Sequence, residues 1–164
     1  MIIIEDTRNK PTKHKLKHAH FERVGVEIVR SKIIVGDYML PKGSASIDSK
    51  QNIMEIANNL RQGHARFRRE AELAQKLGIQ LYILVENSDG VDSLNDLANW
   101  RECDKSFFMR KRRNNRAVRI SGKQLARAAS TMSERDSLFW GFCKPEDAGK
   151  RIIEILQAHE AQEG

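Results

Sequence analysis

The sequence predicts an α/β fold in which one sheet is covered by helices on both faces. Three observations carry this. Short apolar runs recur along the 164 residues, segments with apolar residues at helical spacing alternate with them, and Leu81-Tyr82-Ile83-Leu84-Val85 is a continuous apolar run. A run of that kind lies buried on both faces at the middle of a sheet. Strands alternating with helices then argue for helix, sheet and helix in layers.

Each element has its own justification. Ile2 to Glu5 reads as a buried first strand, and Thr12, after Pro11, opens a basic helix through Phe21 and Val24. Beyond Gly25 an extended segment runs from Val26 to Arg30. Ile33-Ile34-Val35 then runs apolar into Gly36-Asp37 as a strand, and Ser44-Ala45-Ser46-Ile47 leads another into Asp48. Pro41 and Gly43 are turn signals between them, so these two strands pair as a hairpin. After Lys50 the period changes: Ile53, Ile56, Ala57 and Leu60 fall at i, i+3, i+4 and i+7, one apolar helix face that ends at Gly63. A second helix from His64 to Leu77 turns Phe67, Ala71, Ala74 and Leu77 inward and stops at Gly78. Ser121, with Gln124 three residues later, fits a capping box, and Leu125, Ala128, Ala129 and Met132 form the inner face of the helix that follows. Leu138 to Phe142 reads as the last strand. Pro145, with Glu146 and Asp147 in the first turn, opens a final helix packed through Ala148, Ile152, Ile155 and Leu156.

Composition narrows the class. Hydrophobic residues at 40% suffice for one core, so residues 1–164 are expected to form one domain. A net charge of +7 and a pI near 9.6 favour a polyanionic partner, because neutralising phosphates releases counterions. Cys103 and Cys143 are the only cysteines, which excludes a four-cysteine zinc site and a disulfide framework. The expected compartment is therefore the reducing cytoplasm. Met1-Ile2-Ile3-Ile4 meets Glu5-Asp6 too soon for a signal peptide, and no apolar run approaches membrane-spanning length. Ser121-Gly122-Lys123 lacks the glycine spacing of a phosphate loop, so no nucleotide cofactor is expected.

One stretch, about residues 88–119, breaks the pattern. It concentrates Arg110, Lys111, Arg112 and Arg113 among further arginines, with Phe107 and Phe108 between. Cationic and stacking groups together fit a DNA-facing insertion; a solvated loop anchored by its phenylalanines fits the same residues. His14 and His18 share the i, i+4 spacing that zinc sites use. Lys13, Lys15 and Lys17 surround them without a Glu or Cys, so they are assigned to a basic surface helix.

The chemistry is concentrated in Gly36-Asp37-Tyr38 and Ile47-Asp48-Ser49-Lys50. The predicted hairpin brings Asp37 beside Asp48, and side chains at i and i+2 share one strand face, so Asp48 and Lys50 point together while Ile47 and Ser49 face the other way. Two carboxylates and a backbone carbonyl make a hard oxygen site suited to Mg²⁺ or Mn²⁺, of the kind that phosphodiester cleavage uses. Spacing alone equally fits a turn aspartate and an ordinary surface ion pair.

The ordered residues resemble the XPF-type nuclease domain of the PD-(D/E)XK superfamily, in a stand-alone form similar to those of bacteria and phages. Ile4-Glu5-Asp6-Thr7-Arg8 looks like its opening Asp-x-Arg strand, Val35-Gly36-Asp37-Tyr38 like its Gly-Asp-Tyr strand, and Asp48-Ser49-Lys50 stands in place of its Glu-Arg-Lys triplet. The likeness continues through Asn59-Leu60, Gly63, Arg66, Glu70 and Leu84-Val85-Glu86, and resumes from Arg119. It implies a restriction-endonuclease-like mixed sheet and metal-dependent hydrolysis of DNA, with branched, flap or junction DNA as the target class. Asp37, Asp48, the Ser49 carbonyl and Asp6 would hold the metal, Lys50 would serve the attacking water, and Arg8 and Arg66 would clamp phosphate. It also implies a homodimer. Ser49 and Met54 depart from the pattern, where the family has an arginine and an acidic residue. The Ser49 substitution leaves open a non-catalytic DNA-binding subunit of a nuclease complex, against which Asp37, Asp48 and Lys50 are all retained; an RNA-directed nuclease of the same fold uses the same residues.

Overall fold

The computed structural model describes residues 1–61, 64–100 and 120–163. Six strands are present among them: β1 (Ile2–Asp6), β2 (Glu27–Ser31), β3 (Tyr38–Met39), β4 (Ala45–Lys50), β5 (Gln80–Glu86) and β6 (Phe139–Cys143). They form one mixed sheet in the order β2-β1-β3-β4-β5-β6. β1 pairs with β2, and β4 with β5 and β5 with β6, all in parallel; β3 is antiparallel to both of its neighbours. The expected mixed α/β sheet covered on both faces is what the chain forms.

Among the described residues the helices are α1 (Lys15–Arg23), α2 (Ile53–Arg61), α3 (His64–Lys76), α4 (Leu94–Asn99), α5 (Gly122–Asp136) and α6 (Ala148–Glu163). Alternation along the strands splits the core in two. Leu81, Ile83 and Val85 of β5 face Ile53, Ile56, Phe67, Ala71, Leu125 and Met132 of α2, α3 and α5. Leu84, with Ile3, Tyr38 and Ile47, faces Phe21 of α1 and Ala148, Ile152 and Leu156 of α6 on the other side. No helix among the described residues is long and apolar enough to cross a membrane.

Local signals act as the physics requires. Ser121 accepts from the Gln124 N–H while the Gln124 side chain accepts from the Ser121 N–H, the reciprocal cap that opens α5. Gly122 beneath it has no room for a Cβ, which would meet the Leu97 and Trp100 carbonyls at 2.2 and 2.6 Å, so α5 can press directly on the end of α4.

Four sequence expectations are corrected. Ile33-Ile34-Val35 is not a strand: its backbone is held by side chains instead of a ladder, with the Ile33 N–H on Asp6, the Ile33 carbonyl on Arg8 and the Val35 carbonyl on Ser46. The basic helix begins later than Thr12, because a 3₁₀ turn over Pro11–Lys13 precedes it and His14 is its N-cap. That helix is also not simply a surface element, since His14, Lys17 and Phe21 are buried under it. Leu77 follows the end of α3 and is 46% exposed.

Candidate active site

The hairpin that carries the acidic residues is pinned at both ends. Gly36 adopts φ +77°, and a Cβ there would meet the Ser46 Oγ at 2.2 Å and the Ile47 carbonyl at 3.1 Å; only glycine lets the chain pass so close to β4. Its N–H donates to Glu70 Oε1 of α3 at 3.0 Å. Asp37 follows, with its N–H on the Ile47 carbonyl (2.7 Å) and its own carbonyl accepting from the Asp6 N–H (2.9 Å). Its side chain accepts from the Ser49 N–H through Oδ2 at 2.9 Å. Asp37 thus bridges β1 and β4.

Strand alternation brings Asp48 and Lys50 together. Both are buried, and Lys50 Nζ donates to Asp48 Oδ1 at 2.7 Å. Oδ2 lies 2.6 Å from the same ammonium, so both carboxylate oxygens face Lys50. Phe67 of α3 closes one side of the pair, with its ring centroid 5.7 Å from the ammonium.

The electrostatics follow from this crowding. Burial, and then the neighbouring Asp48 charge, push the Asp37 carboxyl up to about 7, against the pull of the Ser49 N–H and Lys50. Burial works against the Lys50 ammonium, yet Asp48 outweighs it and Lys50 titrates above the usual lysine range.

These groups open into a cleft of about 520 Å³. Asp37, Asp48, Ser49 and Lys50 form its floor, with Glu55 and Glu70 beside them. Lys10, Lys13 of the 3₁₀ turn, Arg66 and Arg69 of α3, and Arg8 complete the lining. Asp6 is not in that lining. Its carboxylate takes Arg8 Nε and Nη2 and the Ile33 N–H, and although burial alone would raise its pKa, these partners lower it. Arg8 in turn spends Nε and Nη2 on Asp6 and Ile33. Arg110, Lys111, Arg112 and Arg113 lie outside the described residues.

Among the described residues, no three Asp, Glu, His or Cys side chains converge as a closed metal cage. The donor set nevertheless fits a hard divalent cation that keeps much of its water. Such ions bind through one or two carboxylates. Here the two are Asp37 and Asp48, which line the cleft together and whose like charges oppose one another.

Sequence reasoning gave no role to Arg69, Lys10, Lys13 or Glu55 at this cleft. The signal for Arg69 was present: Arg66, Arg69, Glu70 and Leu73 fall at i, i+3, i+4 and i+7, a stripe of α3 beside the buried one of Phe67, Ala71 and Ala74.

Neither a protein-family model nor a curated protein matches the chain. Among solved structures, XPF from Aeropyrum pernix superposes with a TM-score of 0.62 at 17% identity, over 96% of this chain. The same protein in complex with DNA gives 0.63 at 15% identity, over 98% of this chain. This chain spans 64% and 66% of the length of those two chains. At such identities the likeness is one of architecture: the chain shares its fold with those XPF structures.

Proposed function

We propose that the protein is a metal-dependent endonuclease that hydrolyses phosphodiester bonds in DNA, selective for branched, flap or junction structures. One observation carries the reading: Asp37, Asp48 and Lys50 face a single cleft bordered by Lys10, Lys13, Arg66 and Arg69. Acidic floor and cationic border suit a substrate whose backbone is anionic and whose cleavage builds negative charge. The XPF structure with DNA bound, similar in fold, supports the same substrate class.

In this mechanism Asp37 and Asp48, with the Ser49 carbonyl, would hold Mg²⁺ or Mn²⁺, which when bound polarises the phosphoryl oxygen and lowers the pKa of water. Arg66 and Arg69 place the phosphate. Lys50, kept cationic by Asp48, stabilises the charge that develops on the phosphoryl oxygens and orients the attacking water. Asp6 acts at one remove, since its carboxylate fixes Arg8 and the Ile33 backbone. The reading includes two copies working as a pair, which light scattering at working concentration tests.

The deciding experiment incubates purified protein with labelled flap, fork, four-way-junction, linear duplex and RNA substrates, in Mg²⁺ or in EDTA. Cutting of the branched DNAs in Mg²⁺ alone is expected, and Lys50→Ala should slow it about 10²–10³-fold. Binding without cleavage of any of them would overturn the reading.

A further inference from the structure

The lysine at position 17 has no role in the mechanism above, yet its placement is unusual for a lysine. It is 1% exposed, among the largest fully buried side chains of the molecule, in a helix whose sequence reads as a basic surface. Lysine is almost never buried without a partner. The partner here is Glu86, at the last position of β5, whose Oε1 accepts from Lys17 Nζ. The same Oε1 accepts from Ser49 Oγ at 3.0 Å. One carboxylate oxygen therefore joins helix α1, strand β5 and strand β4.

Ser49 is the middle residue of Asp48-Ser49-Lys50, and strand alternation sends its side chain to the opposite face of the sheet. Its main chain belongs to the cleft: the Ser49 N–H holds Asp37, and its carbonyl lies between Ser49 and Lys50. Fixing Ser49 Oγ from behind fixes the peptide planes on either side of it. A carboxylate can hold that hydroxyl in a buried place only if its own charge is met, and Lys17 meets it. Resting on the nuclease reading of the cleft, we propose that Lys17 is a positioning residue. Through Glu86 and Ser49 it holds the Asp37–Asp48–Lys50 arrangement from the far face of the sheet. A cation from another element thereby serves a triplet whose own middle residue carries none.

The test uses Lys17→Met, Lys17→Arg and the double variant Lys17→Met/Glu86→Leu, which leaves Ser49 Oγ no acceptor at position 86. The last removes the uncompensated carboxylate and so separates loss of positioning from loss of folding, and it is compared at matched thermal stability. Three readouts are taken: Mn²⁺ affinity by electron paramagnetic resonance, hydrogen-exchange protection of the Ser49 amide by NMR, and the split between kcat and KM for cleavage. In Lys17→Met, Mn²⁺ affinity and kcat should each fall about 10–100-fold, the range seen when groups that orient metal ligands are removed, with KM little changed. The Ser49 amide should lose protection, and Lys17→Arg should restore most of all three. A folded double variant with wild-type Mn²⁺ affinity and wild-type Ser49 protection would overturn the proposal. If the parent protein binds Mn²⁺ but cuts nothing, the nuclease reading falls while the Ser49 amide still decides the positioning role.

Discussion

Asp37 and His14 show how single residues set opposite pH dependences in one small molecule. His14 is buried against Tyr38, 2.7 Å from its hydroxyl; burial first, and then Lys17, His18, Lys13 and Arg30, hold its pKa down at about 4. The unfolded chain takes a proton near the ordinary 6.5 that the native state refuses. Stability from this residue is therefore full above that value and lost as the pH falls to about 4, an effect of about 3 kcal/mol. Urea unfolding at pH 7 and at pH 4.5 should show His14→Gln losing less stability on acidification than the parent. Asp37 works the other way, because its native carboxyl keeps a proton up to about 7 that the unfolded chain gives up near 3.8; its contribution declines as pH rises between those values. Asp48→Asn removes the neighbouring charge, so the Asp37 carboxyl should titrate lower, as a ¹³C NMR titration of the metal-free protein would read. The same substitution is expected to abolish cleavage with the fold intact.

Legibility at this scale divides along the strand. That Asp48 and Lys50 share a face follows from period two alone, and they do. That Lys17 is interior could not be read from a helix written Lys-Leu-Lys-His-Ala-His, because the group that permits its burial, Glu86, stands 69 residues away. Nor could the fate of Asp6 be foreseen: a carboxylate two residues before an arginine is equally able to face a cleft or to pair with it.

At the scale of elements, the segment from Ile33 to Gly36 is instructive because its sequence looks like a strand and its surroundings make it a clamp. Asp6, Arg8, Ser46 and Glu70 take its backbone groups one after another. Local apolar content could not report on side chains from three other elements. Gly36→Ala should accordingly cost about 1–3 kcal/mol in chemical denaturation, since alanine resists a positive φ and its methyl would collide with Ser46. The capping box that opens α5 is the opposite case, visible from four consecutive residues. Ser121→Ala should lower stability by about 1 kcal/mol without touching Mn²⁺ affinity.

Across the whole molecule, the order of the strands decides where chemistry can gather. β3 brings the Gly36–Asp37 turn between the end of β1 and the body of β4, and α3 leans over that junction with Arg66, Arg69 and Glu70. The layers were legible because helix and strand periods alternate clearly; the strand order was not, because it depends on which edges meet. A net charge of +7 makes the affinity of the proposed DNA complex fall with salt. Neutralising Arg66 and Arg69 together should weaken binding across all sequences and reduce the slope of log affinity against log salt by about two. The four-residue replacement of Arg110, Lys111, Arg112 and Arg113 by neutral residues should reduce that slope further, as filter binding over a salt series would measure.

Strand β3 is two residues long and joins two parallel sets, β1 with β2 and β4 with β5 and β6. The turn after it carries the exposed Pro41 and Lys42, the latter at φ +63°. A chain severed at that turn would be left with Asp37 on a short first piece and Asp48 with Lys50 on the long second one. Neither piece owns the site. Two inert fragments that regain Mn²⁺ binding only on mixing would make this seam a split reporter, in which reassembly of the sheet and recovery of the chemistry are one event.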